Sequence, residues 1–131
     1  MVVLKGVPAL LSPELLYALA RMGHGDEIGL GTPPLLEAVV RVLPRDTSVE
    51  SPAAVMELVP SDRKTGLQTP VWRSYQSILS EAGCTSSLAK IERFEFYARA
   101  KKAFAVVATG ETALYGNLIL KKGVLAPGAL F

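Results

Sequence analysis

The chain has 131 residues, 50% hydrophobic and 20% charged, with a net charge of +2. That is enough apolar material for one compact domain spanning residues 1–131. The charge imbalance is too small to point to nucleic acid or an anionic membrane surface as partner. Its one cysteine, Cys84, excludes an internal disulfide and fits a reducing, cytoplasmic compartment. No apolar run approaches the ~20 residues of a membrane span, and Pro8, Pro13 and Glu14 interrupt the N-terminus too early for a leader sequence.

Ser12, Pro13 and Glu14 predict a helix start: a side-chain cap, a proline in the first turn and a carboxylate at the positive end of the dipole. Leu11 and Leu16 have the spacing of a hydrophobic staple, and Leu15, Leu19 and Met22 recur on one face. Gly23 is expected to end this helix in a left-handed conformation. A second helix starts at Thr32-Pro33, buries Leu35, Leu36, Val39, Val40 and Leu43, and stops at Pro44.

Ala53 to Val59 reads as a strand between two prolines, and Ser61 to Gln68 as a polar surface loop. Thr69-Pro70 opens a third helix with Trp72, Tyr75, Ile78, Leu79 and Ala82 as its apolar positions and Gly83 as its stop. Leu88 to Ile91 is a short strand, Phe94 to Lys102 a short helix, and Phe104 to Ala108 a buried strand. Thr109 to Glu111 is a turn, and Leu118 to Leu120 belongs to the last strand. Alternating helices and strands predict an α/β fold: a mixed sheet flanked by helices.

Four places could carry chemistry. His24, the only histidine, stands between two glycines just past a helix end. Histidine exchanges protons near neutral pH and glycine lets a ligand approach, although a loop or capping histidine has the same local sequence. Arg93 and Tyr97 are four residues apart and share a helical face; a guanidinium fork beside a phenol can hold sugar hydroxyls, and the same segment can be an amphipathic helix. Tyr115-Gly116-Asn117 supplies a hydroxyl, a carbonyl and an amide for a polyhydroxy ligand, or is an ordinary turn. Asp46 could orient a hydroxyl or serve as a loop carboxylate. There is no Cys/His cluster for zinc, no phosphate-cradling glycine loop and no Gly-x-Ser-x-Gly elbow. Cys84 lies in a loop with nothing to activate it as a nucleophile.

Three stretches, LLSPELLYALARMGHGDEI from Leu10, ESPAAVMELVP from Glu50 and IERFEFYARAKKAFAVVATGETALYGNLILKKGV from Ile91, resemble the ribose pyranase and fucose mutarotase family, most closely its animal branch. The resemblance implies interconversion of the anomers of a free sugar, L-fucose in this branch, with no metal or cofactor. His24 matches the family's proton donor. Tyr97 or Tyr115 would complete the acid/base set, and Asp46, Arg93, Tyr97, Tyr115, Gly116 and Asn117 would bind substrate. It also implies a homo-oligomeric ring in which each site borrows residues from a neighbour.

The chain departs from the family pattern after Ile28, running straight into Gly29-Leu30-Gly31-Thr32. On the order of twenty residues, one or two strands with their loop, are missing, among them an aspartate of the pocket. The expected consequence is a gap or new edge in the sheet and a loosely held His24. Misplacement of about 1 Å can cost about 100-fold in rate, so an impaired form that binds sugar or only assembles is the alternative expectation.

Overall fold

The computed structural model describes residues 4–44 and 51–123. In chain order the elements are α1 (Pro13–Arg21), β1 (Glu27–Leu30), α2 (Pro33–Val40), β2 (Ala53–Met56), α3 (Pro60–Thr65), α4 (Pro70–Glu81), β3 (Ala89–Ile91), α5 (Arg93–Lys102), β4 (Ala105–Val106) and β5 (Leu118–Lys121). The strands form one five-stranded sheet in the order β3-β2-β5-β1-β4. β1 is parallel to β4, β2 is parallel to β3, and β5 runs antiparallel between β1 and β2. Four strands therefore share one direction and the central one opposes them.

Period-two alternation divides the side chains of the sheet between its faces. Ile28, Leu30, Ala53, Val55, Leu118 and Leu120 pack into the main core with Leu35, Leu36 and Val39 of α2, Val71, Tyr75 and Leu79 of α4, and Leu19 of α1. Ala54 and Ile119, one residue out of phase, are paired with each other outside that cluster and are also buried. α5 packs against β1 and β2, with Phe96 as its buried residue. Each fully buried aliphatic side chain contributes roughly 1.5–3 kcal/mol.

The expected gap in the sheet after Ile28 is absent. Gly29 and Leu30 extend the strand that Glu27 and Ile28 begin, and β1 pairs on both sides, from Glu27↔Lys121 to Leu30↔Leu118 on one and through Ile28↔Ala105 on the other. The junction residues thus rebuild a continuous strand. Backbone strain appears two residues later: Thr32, which leads directly into α2, has φ 63°, a left-handed value that a β-branched residue rarely adopts.

Three further expectations are corrected. Ser61 to Gln68 is not wholly loop: α3 starts at Pro60, carries Asp62 in its first turn and ends on Gly66 at φ 76°. That proline-to-glycine span is itself a helix signature. The Phe104–Ala108 strand is not buried. It shrinks to a two-residue edge strand with Val106 66% exposed, because β1 covers one side only. Gly23 does not end α1 in a left-handed turn. Met22 leaves the helix extended, the Gly23 N–H donates to Asp26 Oδ2 at 2.7 Å, and the positive φ falls on Gly25. Lys122 Nζ donates to the Met22 and Leu19 carbonyls at 2.5 and 3.3 Å, closing the helix with a cation.

Candidate active site

A cavity of about 140 Å³ opens at the carboxyl ends of the parallel strands, lined by Met56, Phe96, Tyr97, Leu114, Tyr115 and Asn117. Met56 closes β2, Tyr97 lies on α5 after β3, and Tyr115 to Asn117 leads into β5. β5 enters here between β1 and β2, and the carboxyl ends of the strands are the usual ligand position in open α/β sheets.

Tyr115 is held from three sides. Its carbonyl accepts from Trp72 Nε1 at 2.9 Å, and the two rings meet edge to face at 6.5 Å. The next carbonyl, Gly116, accepts from the Tyr75 hydroxyl at 2.5 Å. The Tyr115 hydroxyl donates to Asp62 Oδ2 and accepts from the Val59 N–H at 3.3 Å. These bonds offset the cost of φ 59° at Tyr115, a left-handed value for a non-glycine residue. Gly116 is required by space: a Cβ there would come within 2.9 Å of Glu111 Cγ and 3.0 Å of the Ala113 carbonyl.

The same contacts set the electrostatics. The hydrogen bond to Asp62 raises the Tyr115 pKa above its ordinary value of 10.0, with desolvation adding to it. Loss of that proton would set a phenolate against a carboxylate. Burial, with the Glu111 charge adding to it, pushes Tyr75 up to about 12. Arg93 opens α5, with its guanidinium 4.6 Å from the Phe94 ring, and its positive charge opposes the rise at Tyr115. At the other end of α5, Arg99 pairs with Glu27 of β1 and docks the helix on the sheet.

The structure brings Tyr97, Tyr115 and Asn117 to one cavity, with the buried Gly116 between the last two. It does not bring His24 to them within one chain. His24 precedes β1, where the Gly25 N–H donates to the Lys122 carbonyl at 2.8 Å. It is exposed and stands at the opposite end of the sheet from Asn117. The four residues of β1 alone span about 13 Å. Asp46 lies outside the described residues. Among the described residues, no group of three or more His, Cys, Asp or Glu side chains could hold a metal ion. No helix among them is long and apolar enough to cross a membrane.

Sequence reading missed Met56, Leu114 and above all Asp62. The only local signal for Asp62 was its place in the first turn after Pro60; its contact with Tyr115 spans 53 residues.

Comparison with known proteins gives this geometry a family. The model of the RbsD / FucU transport protein family matches residues 29–125, starting at the residue after Ile28. A fucose mutarotase of Homo sapiens is 70% identical over 149 aligned positions, covering 96% of this chain and 97% of that protein. An alignment longer than this chain means that the human protein carries residues that this chain lacks inside the matched region. The crystal structure of a Streptococcus pneumoniae fucose mutarotase in complex with L-fucose matches at a TM-score of 0.84 and 37% identity, covering 94% of this chain and 100% of that one. RbsD of Bacillus subtilis, solved with D-ribose, shares the fold at a TM-score of 0.68 and 20% identity. From the family model and the near-complete cover of its relatives, the chain belongs to the RbsD/FucU family.

Proposed function

We propose that this chain is an isomerase that interconverts the α and β anomers of free L-fucose by acid/base ring opening. The observation that carries the reading is the 70% identity to a human fucose mutarotase along nearly the whole of both chains. The polar side chains gathered at the strand ends support it.

The chemistry needs one proton delivered to the ring oxygen and one removed from the anomeric hydroxyl. The ring C–O bond breaks, the aldehyde face rotates, and closure reverses the steps. His24 serves as proton donor and a tyrosine, Tyr97 or Tyr115, as its counterpart, each positioned group contributing about 10²–10⁴-fold. Asn117, Arg93, Asp46 and the Tyr115-Gly116 segment hold the remaining hydroxyls. These side chains suffice without a metal or cofactor.

His24 and the cavity lie at opposite ends of β1, which supports a homo-oligomer in which His24 of one subunit meets Tyr97, Tyr115 and Asn117 of its neighbour. The single buried thiol of Cys84 suits a cytoplasmic enzyme. An impaired subunit is the less favoured reading, because the sheet runs unbroken through the junction after Ile28.

Saturation-transfer NMR on L-fucose tests the activity. Anomer exchange should rise well above the buffer rate on adding the protein and fall by about 100-fold or more in His24→Gln. Exchange at the buffer rate with the unsubstituted protein would refute the reading.

A further inference from the structure

We propose that Asp62 is a positioning residue that commits the Tyr115 phenol to accepting a hydrogen bond from the sugar, which leaves proton transfer on this side of the cavity to Tyr97. The inference rests on the proposed mutarotase reading and decides between the two tyrosines it leaves open.

A phenol has one proton to give. At Tyr115 that proton goes to Asp62 Oδ2, and the Val59 N–H donates to the phenol oxygen of Tyr115 at 3.3 Å. What remains for a ligand is acceptor capacity. To donate to a ring oxygen, Tyr115 would have to leave a charge-assisted hydrogen bond, the stronger kind. To act as base it would first have to become a phenolate beside the Asp62 carboxylate.

The backbone that carries the ring is pinned, and Trp72 meets the ring edge to face. Trp72 Nε1 holds the Tyr115 carbonyl, and Tyr75 holds the carbonyl of Gly116. Asp62 is well placed to act as an anchor because α3 carries it beside the cavity without lining it. Tyr97, on α5, lines the same cavity and is 48% exposed at its mouth. It is the phenol positioned to exchange a proton with substrate.

The test combines anomer-exchange kinetics with a measurement that needs no sugar. Asp62→Asn is expected to raise KM for L-fucose about 10-fold with kcat within about 2-fold, as loss of one oriented hydrogen bond should. Tyr115→Phe should do the same, and Asp62→Asn in the Tyr115→Phe background should add nothing. Tyr97→Phe should instead lower kcat about 100-fold or more. Independent effects of Asp62→Asn and Tyr115→Phe, or a collapse of kcat in Tyr115→Phe, would overturn the proposal. The second readout is NMR titration of ring-labelled tyrosine, with Tyr115 assigned through Tyr115→Phe. The Tyr115 midpoint should fall in Asp62→Asn; an unmoved midpoint refutes the anchoring whatever the kinetics show. If the unsubstituted protein catalyses no exchange, the functional reading fails while this titration still tests the anchor.

Discussion

The hydroxyl of Tyr75 donates a 2.5 Å hydrogen bond to the carbonyl of Gly116, joining the middle of α4 to the residue between Tyr115 and Asn117. Tyr75 is fully buried. Tyr75→Phe keeps the ring and leaves a buried carbonyl unpaired. The expected cost is about 1–3 kcal/mol, read as a lower urea midpoint at unchanged slope. The Tyr115-Gly116-Asn117 segment should also loosen, raising KM for L-fucose more than it lowers kcat.

The same phenol makes stability depend on alkaline pH. Its folded-state pKa of about 12 lies above the ordinary 10.0, so its contribution is complete below pH 10 and is lost as pH rises from 10 to 12. Over that window the unfolded chain has released the proton and the folded one has not. Unfolding free energy should fall by up to about 1.4 kcal/mol per pH unit from this group. Denaturation curves at pH 9, 10 and 11, compared with those of Tyr75→Phe, check this contribution: the slope should be shallower in the variant, with the Tyr115 share remaining.

Gly116→Ala places a methyl group against Glu111 Cγ at 2.9 Å and the Ala113 carbonyl at 3.0 Å. The glutamate can shift, but the backbone carbonyl can do so only by moving the turn. A destabilisation of about 1–3 kcal/mol is expected, with weaker sugar binding. Trp72 is the only tryptophan and bonds to Tyr115, so its fluorescence should report the disturbance directly.

Thr32→Gly should stabilise the chain. Threonine at φ 63° costs roughly 1–3 kcal/mol, and glycine adopts that value at an entropic cost of roughly 0.5–1 kcal/mol. A net gain of about 1 kcal/mol, seen as a higher melting temperature, is expected. A lower melting temperature would show that Thr32 makes a compensating contact.

A site shared between subunits predicts complementation. His24→Gln and Tyr97→Phe proteins, each slow alone, should regain anomer exchange when unfolded together and refolded as a mixture. Mixed assemblies then contain sites with both native side chains. A mixture no faster than its parents would rule out sharing between these two residues.

Much of the local structure was legible because its causes are local. Ser12 caps α1, accepting from the Leu15 N–H at 3.1 Å, and Gly83 after α4 has φ 91°. The apolar stripes of α2 and α4 face the main core because helical periodicity leaves them no other partner. α3 was overlooked because its six residues bury nothing, so no apolar stripe marks it. The buried reading of Phe104 to Ala108 failed because β-branched composition does not tell an edge strand from a central one.

By itself, the sequence determined the alternation of helices and strands, the apolar faces and the family motifs, all properties of neighbouring residues. Only the tertiary structure decided that Gly29 and Leu30 would complete β1, that Asp62 would meet Tyr115 across 53 residues, and that His24 would stand at the far end of the sheet from Asn117. Those relationships depend on which strands pair and in what direction, and β5, inserted antiparallel between β1 and β2, sets both. Pairing of this kind is a contest among all strands for hydrogen-bonding edges and a common core, and no local stretch of sequence encodes its outcome.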